Sequence, residues 1–418
     1  MAMPVSSAPP FDVARVRAEF PALAQRVNGR PLVYLDSAAT AQKPLAVLDA
    51  VRSIDAHDTG NVHSAVHTLA VIATERFEDA RAVVRRFLHA ADTAEIVFTR
   101  GTTESVNLVA QTFGRLRVGP GDEVLASRLE HHSNLVPWQM LCAERGARLV
   151  PIPLDAGGQI DLAGYQALLS ERTRLVAIAH VSNVLGTVTP IDEIVRLAHA
   201  RGAAVLVDGA QAVPHVRVDV RALDCDFYCF SGHKLFGPTG AGVLYGKREH
   251  LEAMPPWQGG GHMIRSMRFE GTSYQNPPWR FEAGTPPIAA VVGLGAAITW
   301  LESIGFEAIA AHERTLTEHA LRVLPAVRGL QLFAAPGARV PVFAFTLAGV
   351  HAHDVGTVVD QDGIAIRTGH HCAQPLMEHL GVTAIARASL ALYNTTGEVD
   401  ALVESLDRVA PMFRRASR

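Results

Sequence analysis

Short, nearly continuous apolar runs alternate with amphipathic segments from about Tyr34 to Tyr245. Strands of a parallel sheet give such runs because helices bury both faces of the sheet. The alternation therefore predicts an α/β sandwich with a mostly parallel central sheet. The predicted strands are Glu95 to Thr99, Glu123 to Ser127, Leu175 to His180 and Val205 to Asp208, and Asp226 to Phe230 is a further apolar run.

The alternation stops at residues 254–287, which are rich in Gly and Pro. A long irregular segment inside a compact chain is more often functional or interfacial than a solvated linker. After it, Ile288 to Ile304 is typical of a long helix, and the remainder is typical of a smaller α+β domain. An N-terminal helix over Phe11 to Phe20 is expected to pack with that domain. The predicted boundaries are residues 31–291 for the large domain, and residues 1–30 together with 292–418 for the small one.

Polar clusters follow several of the predicted strands. In open α/β sheets, ligands bind outside the carboxyl ends of the strands, so these clusters are candidates for one site. The clusters are Thr99 to Glu104, His131 to Asn134, His180 to Asn183 and Asp208 to Gln211.

Lys234 and Asp208 are the most informative pair in the chain. Lys234 lies in a Gly-rich turn just past one apolar run, and Asp208 ends another. Alone, Asp208 suits a capping carboxylate and Lys234 a solvated surface amine. Together they predict a pyridoxal 5′-phosphate (PLP) site, because a lysine can form a Schiff base with an aldehyde and a carboxylate can keep a pyridinium nitrogen charged. A lysine with the ordinary pKa of about 10.4 attacks poorly at neutral pH, so this one must be desolvated or lie near positive charge.

Residues 101–104 (Gly-Thr-Thr-Glu) follow one predicted strand and open the predicted helix Ser105 to Phe113. Backbone N–H groups at a helix start, with two hydroxyls, form an anion cup suited to a phosphate. An ordinary capping box has the same spacing. Ser231, His233 and Lys234 at another strand end can also face a phosphate, which favours the phosphate site.

His131 and His132 are adjacent, and adjacent side chains on a strand or loop point apart. With no second pair at ligand spacing, a metal site is not favoured. An imidazole over a pyridine ring offers stacking and an acid/base group, and position alone does not choose between the two histidines.

Composition excludes several function classes. The chain has 418 residues, 48% of them hydrophobic, and a net charge of −3 with both signs mixed along it. Nothing marks a nucleic-acid or membrane-surface binder, so a small molecule or another protein is the expected partner. No apolar stretch reaches the roughly 20 residues that span a bilayer, and residues 1–10 lack a cationic segment before an apolar run, which points to the cytosol.

Four cysteines in a chain of this length favour a reducing compartment over a disulfide framework. Cys142, Cys225 and Cys229 lie in apolar surroundings typical of small buried hydrophobes. Cys372 differs because Arg367, His370 and His371 surround it, as suits an exposed thiol with a lowered pKa.

The motifs, taken together, resemble those of the class V aminotransferase-like enzymes of PLP fold type I. Within these, the chain is most similar to the group II (SufS-type) cysteine desulfurases, which overlap with selenocysteine lyases. The resemblance runs from residues 34–40 to residues 387–394. Its motifs, in family order, are residues 100–104 (RGTTE), 130–134 (EHHSN), 180–186 (HVSNVLG), 231–234 (SGHK) and 367–372 (RTGHHC).

The resemblance implies a fold-type I transferase, with a large three-layer α/β domain and a smaller α+β domain, acting as a homodimer. It also implies the roles of individual residues. Lys234 is then the Schiff-base lysine, Asp208 the pyridinium partner, Gln211 a donor to the ring hydroxyl and His131 the stacking acid/base group. The phosphate ligands are then Thr102, Thr103, Ser231 and His233, with Thr285 from a second subunit. The substrate ligands are then Asn183, Arg387 and Arg367, and Cys372 is the nucleophile that receives sulfur.

The implied activity converts L-cysteine to L-alanine, leaves a persulfide on Cys372 and passes sulfur to an acceptor protein of the SufE or SufU type for iron–sulfur cluster assembly. Selenocysteine lyase remains the main alternative, because it uses the same apparatus. An aminotransferase would not need Cys372, and a non-enzymatic scaffold would leave the Lys234–Asp208 pair unexplained. One departure from the family is Ser64, where an arginine is customary, so any substrate or subunit contact of that arginine is in doubt.

Overall fold

The computed structural model describes residues 11–334 and 337–416. The expectation about residues 1–10 lies outside the described residues. The strands are β1 (Arg26–Val27), β2 (Arg30–Pro31), β3 (Val33–Tyr34), β4 (Ile96–Thr99), β5 (Glu123–Ser127), β6 (Arg148–Ile152), β7 (Thr173–Ala179), β8 (Ala204–Asp208), β9 (Phe227–Ser231), β10 (Gly242–Gly246), β11 (Ile264–Arg268), β12 (Gly271–Tyr274), β13 (Leu330–Phe333), β14 (Val342–Leu347), β15 (Ile364–Ala365), β16 (Arg367–Gly369) and β17 (Ile385–Ser389).

The helices alternate with these strands. The α-helices are α1 (Val13–Ala18), α2 (Leu45–His57), α3 (Thr68–Phe87), α4 (Thr102–Val109), α5 (Arg115–Arg117), α6 (Val136–Arg145), α7 (Leu162–Leu168), α8 (Ile191–His199), α9 (Val220–Leu223), α10 (Arg248–Ala253), α11 (Ile288–Ile304), α12 (Phe306–Val323), α13 (Ala352–Gln361), α14 (Gln374–Leu380) and α15 (Thr396–Ala416). Short 3-10 turns lie at Pro21–Ala24, Thr93–Glu95, His132–Asn134, Gly232–Lys234, Trp279–Phe281 and Leu324–Ala326, and a π-helical turn at Ala110–Gly114 follows α4.

The central sheet of the described chain has seven strands in the order β4-β10-β9-β8-β7-β5-β6. Only β10 runs against the others, since it pairs antiparallel with both β4 and β9. Strands β4, β5, β8 and β9 are buried at every position. This burial is why they read as continuous apolar runs, and the predicted α/β sandwich with a mostly parallel sheet is confirmed.

A second sheet, β13-β14-β17-β16, is fully antiparallel. Helices α12, α13 and α15 pack together beside it around a separate apolar cluster. Strand β3, from the N-terminal part of the chain, pairs in parallel with β15 of this region.

The N-terminal helix packs where it was expected, although it is shorter than predicted. Phe11 stacks on His312 of α12, with ring centroids 4.4 Å apart. Arg17 forms an ion pair of 2.9 Å with Glu398 of α15. The domain boundaries themselves remain a prediction.

The irregular segment 254–287 contains a β-hairpin, β11-β12, that was not predicted. Its residues are mostly exposed, and Phe269 at its tip is fully so. A hairpin without a buried face gives no alternation of apolar and polar residues, which is why the sequence did not signal it.

Within the described residues, no single helix is long and apolar enough to cross a membrane. The consecutive helices at Ile288–Ile304 and Phe306–Ala326 meet the length and composition criteria only as a pair, and they are bent by 78° to each other.

Candidate active site

A pocket of about 240 Å³ opens at the carboxyl ends of the central strands. Eleven of the thirteen site residues predicted from the sequence line it; Cys372 and Thr285 do not. The eleven are Thr102, Thr103, His131, Asn183, Asp208, Gln211, Ser231, His233, Lys234, Arg367 and Arg387. Sequence reasoning therefore located the pocket, while the role of each residue remains a prediction.

Lys234 ends the 3-10 turn that follows β9 and points into the pocket. Burial and the charges of Arg387 and Arg367 lower the pKa of its amine to about 8, although Asp208 and Cys372 act in the opposite direction. About a tenth of the amine is therefore uncharged at pH 7, far more than for a lysine with the ordinary pKa, as a nucleophilic lysine requires.

Asp208 is the last residue of β8 and is buried. One carboxylate oxygen accepts a hydrogen bond of 2.9 Å from the backbone N–H of Ala210, which fixes its direction. Burial raises its pKa, while the charge of Lys234 lowers it. Nearby, the amide of Gln211 donates to the carbonyl of Ala38 at 2.6 Å, which orients its side chain in the pocket.

The predicted phosphate cup is assembled from two strand ends. The hydroxyl of Ser231 accepts a hydrogen bond of 2.9 Å from the N–H of Thr102 and lies 2.8 Å from the Thr102 hydroxyl. Helix α4 begins here, and Gly101 before it has no side chain to cap the helix, so Ser231 of β9 supplies the acceptor for the first N–H group. A helix start whose other N–H groups lie beside hydroxyls suits an anion.

Glycines make this cup possible. Gly101 has a φ of 153°, and a Cβ there would lie 3.2 Å from the Ser231 hydroxyl. A Cβ on Gly242 would lie 2.4 Å from the Cα of Gly101, so the turn can approach β10 only because Gly242 lacks a side chain.

His131 faces the pocket, and the structure thereby distinguishes it from His132. Its Nδ1 accepts a hydrogen bond from the N–H of Ser133 at 3.1 Å, so Nδ1 is unprotonated and the neutral ring carries its proton on Nε2. Burial, followed by the charge of Lys234, lowers its pKa to about 4. A neutral imidazole suits stacking on an aromatic ring.

Glu130 precedes this histidine, and no pattern in the sequence indicated its role. It is fully buried and bonded to the hydroxyl of Ser127 at 2.5 Å, the amide of Asn134 at 2.7 Å and the N–H of Ala179 at 3.0 Å. Burial raises its pKa to about 8, with a smaller contribution from Asp208. The carboxyl group ties the His131 segment to β7.

Arg387 enters the pocket from β17 of the second sheet and is buried. Its guanidinium donates to the Asp36 carboxylate at 2.9 Å and to the carbonyl of Asn183 at 2.8 Å. Its Nε is buried without a hydrogen-bond partner in the structure. A buried guanidinium with an unused N–H suits a ligand carboxylate. The sequence did not reveal Asp36, because 351 residues separate it from Arg387.

Cys372 lies beside the pocket rather than in its lining, on the segment between β16 and α14. It is partly buried, not exposed as predicted. His371 and Cys372 have φ values of 52° and 54°, and the side-chain amide of Asn183 donates to the carbonyl of His371 at 2.9 Å. The thiol is close enough to the pocket for its charge to affect the pKa of Lys234.

Thr285 lies outside the pocket, beside Arg100, Glu104 and Trp257. Ser64, at the position of the customary arginine, has its hydroxyl 3.2 Å from Nε2 of His262. Neither residue reaches the pocket of its own chain.

The similarities of this chain to known proteins agree with the geometry of the pocket. The sequence model of the family described as "Aminotransferase class-V" matches residues 33–402. The chain is 57% identical over 400 residues to the cysteine desulfurase of Dickeya dadantii (strain 3937), an alignment that covers 96% of this chain and 97% of that protein.

Two solved structures are similar over nearly the whole chain. The cysteine desulfurase CsdA of Escherichia coli has a TM-score of 0.90 and 46% identity, with 96% of this chain and 99% of that chain covered. The apo cysteine desulfurase of Thermococcus onnurineus NA1 also has a TM-score of 0.90, with 35% identity and coverage of 98% and 100%.

Proposed function

Because the chain belongs to the aminotransferase class-V family, we propose that it is a PLP-dependent cysteine desulfurase that converts L-cysteine to L-alanine. The observation that carries this proposal is the position of a cysteine loop beside a pocket that holds a lysine of lowered pKa and a buried carboxylate. A transaminase would need the pocket but not the cysteine.

The pocket residues fit PLP. The Thr102–Ser231 cup and His233 would hold the phosphate, Asp208 the ring nitrogen and Gln211 the ring hydroxyl, with His131 on the ring face. When bound, the cofactor supplies an electron sink for negative charge that develops at the substrate Cα.

Lys234 and Asp208 would then act on different protons. With a pKa of about 8, the Lys234 amine can take the Cα proton of the substrate and return a proton at neutral pH. The Asp208 carboxylate would keep a proton on the pyridine nitrogen. Arg387, with Asn183 and Arg367 near it, would bind the substrate carboxylate, which fixes the substrate thiol toward Cys372.

Cys372 would remove the sulfur. Its thiolate attacks the substrate sulfur, a new S–S bond forms, and the Cβ–S bond breaks with its electron pair retained by the carbon fragment. Protonation of that fragment gives alanine and leaves a persulfide on Cys372. The sulfur would then pass to an acceptor protein of the SufE or SufU type for iron–sulfur cluster assembly in the cytoplasm.

Activity and mass measurements test this function. Purified protein incubated with L-cysteine is expected to give alanine, and peptide mass mapping is expected to show an added sulfur on Cys372. The variant Cys372→Ala is expected to lose alanine formation from cysteine while keeping its cofactor absorbance.

Selenocysteine provides the second arm of the experiment. A selenol is a better leaving group than a thiol, so Cys372→Ala is expected to keep much of its selenocysteine activity. Full activity of Cys372→Ala with cysteine, with no persulfide on the wild-type Cys372, would refute the role of Cys372 as the sulfur acceptor. Little alanine from cysteine beside rapid turnover of selenocysteine by the wild type would instead favour selenocysteine lyase.

A further inference from the structure

We infer that His132 is a positioning residue that holds the Cys372 loop, residues 369–374, against the central sheet. The inference deepens the proposed function and rests on the role proposed there for Cys372. It gives the second histidine of the adjacent pair a task separate from that of His131.

His132 meets the loop through both its backbone and its ring. Its backbone N–H donates to the carbonyl of Cys372 at 2.7 Å. Its ring Nε2 accepts a hydrogen bond of 3.3 Å from the backbone N–H of Gln374. The ring also lies against that of His370, with centroids 5.7 Å apart. One residue thus contacts the loop at three positions, His370, Cys372 and Gln374.

The contact with Gln374 replaces a missing helix cap. Gln374 is the first residue of α14, and Ala373 before it offers no side-chain hydrogen bond to the helix start. The first N–H groups of a helix have no partner within the helix. Nε2 of His132 accepts from one of them and so joins the start of α14 to the segment after β5.

The loop backbone needs such support. His371 and Cys372 are consecutive non-glycine residues with φ above 50°, and a side chain makes each such conformation strained. Asn183 holds the carbonyl of His371, but it also lines the pocket and contacts Arg387. His132 differs from Asn183 in this respect. In the part of the chain that the structure describes, its contacts reach the loop from the central-sheet region, and it does not line the pocket.

The charge state of the ring is consistent with accepting a hydrogen bond. Nε2 must be unprotonated to accept from Gln374. Partial burial and the neighbouring His370 lower the pKa of His132, and His131 lies 6.3 Å away between ring centroids. The ring is therefore neutral at pH 7 and above.

Three variants separate the acceptor from the rest of the ring. In His132→Gln the side-chain oxygen takes the place of Nε2 and can still accept from Gln374. In His132→Asn the oxygen is too close to the backbone to reach it, and His132→Leu has no acceptor. All three keep the backbone N–H that bonds to Cys372.

Amide hydrogen exchange at Gln374, resolved by overlapping peptides, is the direct measurement. Loss of one hydrogen bond is expected to speed exchange at Gln374 by about 2- to 10-fold in His132→Leu and His132→Asn, with His132→Gln close to the wild type. The readout does not depend on activity. Unchanged exchange in His132→Leu, or no recovery in His132→Gln, would overturn the inference.

Activity measurements then connect the loop to the thiol. Cysteine turnover is expected to fall by a similar 2- to 10-fold in His132→Leu with KM little changed. In a Cys372→Ala background, adding His132→Leu is expected to leave selenocysteine turnover unchanged, since the thiol is already absent. A further loss in that background would show that His132 acts on the pocket itself and would contradict the inference. Faster exchange with undiminished cysteine turnover would show a merely structural contact and would contradict the positioning role, whereas Cys372→Ala tests the role of Cys372 itself.

Discussion

At the scale of single residues, the sequence revealed the side chains whose chemistry can be predicted from their residue type and their position at a strand end. Lys234 and Asp208 are of this kind. The residues that orient these side chains or their neighbours could not be found in this way, because their hydrogen-bond partners become adjacent only when the chain folds. Asp36 pairs with a guanidinium on another sheet, and Glu130 bonds to three segments at once. No local pattern signals either role.

The lowered pKa of Lys234 gives a direct prediction for the protein freed of cofactor. The chain has three lysines, Lys43, Lys234 and Lys247, so labelling by acetic anhydride can be followed at each by peptide mass. Only the uncharged amine reacts, so labelling of Lys234 is expected to rise with pH and reach half its maximum near pH 8.

Lys247 is the matched control. Despite partial burial, its ion pairs with Asp224 and Asp226 raise its pKa, so its labelling should rise at higher pH than that of Lys234. Equal profiles for the two lysines would contradict the proposed electrostatics of the pocket. Borohydride reduction of the cofactor-loaded protein should place the pyridoxyl adduct on Lys234.

At the scale of elements, the buried strands and the long helices could be predicted from the pattern of apolar and polar residues. Strand β5 and helix α11 have the predicted bounds, because one is buried at every position and the other is a long apolar run. The π-helical turn after α4 and the pairing of β3 with β15 were not predictable. No local pattern signalled the turn, and the pairing joins segments that are distant in sequence.

The close approach of Gly242 to the phosphate turn predicts an element-level defect. In Gly242→Ala the new Cβ would collide with the backbone of Gly101, so stability is expected to fall by roughly 1–3 kcal/mol and cofactor affinity with it. Gly271→Ala is the control, since a Cβ there meets nothing within 4 Å. Denaturant unfolding and cofactor titration measure the two effects, and equal behaviour of both variants would rule out the collision.

Helix α3 is joined to β4 by a buried arginine. Arg81 is 1% exposed and bonds to Glu78, to Glu282 at 2.7 Å and to the carbonyl of Ile96 at 2.8 Å. Arg81→Ala would leave buried carboxylate charge uncompensated, at an expected cost of about 3–5 kcal/mol in the free energy of unfolding. Arg86 lies on the same helix as Arg81 and forms an exposed ion pair with Glu302 of α11, so Arg86→Ala should cost less than about 1 kcal/mol.

The pH dependence of this network has a definite sign. Although burial acts to raise it, hydrogen bonds from His63 and Arg81 lower the pKa of Glu78 to about 2. Its contribution to stability is therefore complete above its unfolded pKa of about 4.5 and is lost as the pH falls toward 2. The difference in unfolding free energy between wild type and Arg81→Ala should shrink over that range, and a constant difference would argue against the ion pair.

At the scale of the whole molecule, the pocket lies where two sheets meet. The central sheet supplies the Lys234 side of the pocket, and β16 and β17 of the second sheet supply Arg367 and Arg387. The sequence motifs predicted this convergence only through the family resemblance, because spacing along the chain says nothing about which sheets face each other. Thr285 is the residue that the single chain leaves outside its own pocket.

A mixed-dimer experiment tests the homodimer that the family resemblance implies, and whether Thr285 acts across its subunits. Lys234→Ala and Thr285→Glu are each expected to be inactive, the second because its carboxylate would repel the cofactor phosphate. If Thr285 serves the partner's site, a dimer of one subunit of each kind contains one site with both an intact lysine and an intact threonine. Random 1:1 mixing after subunit exchange should then recover about a quarter of wild-type activity, since half of the dimers are mixed and each has one good site.

The mixing experiment distinguishes the two arrangements without a structure of the dimer. If Thr285 acts within its own chain, every site in the mixture lacks either the lysine or the threonine, and no activity returns. Cofactor content is a second readout, because the Thr285→Glu subunit should regain bound cofactor when its partner is Lys234→Ala. Native mass spectrometry separates the mixed dimer from the two homodimers, because the two variant subunits differ in mass. It therefore confirms that subunits have exchanged, so that recovery, or its absence, reports on Thr285 and not on failed assembly.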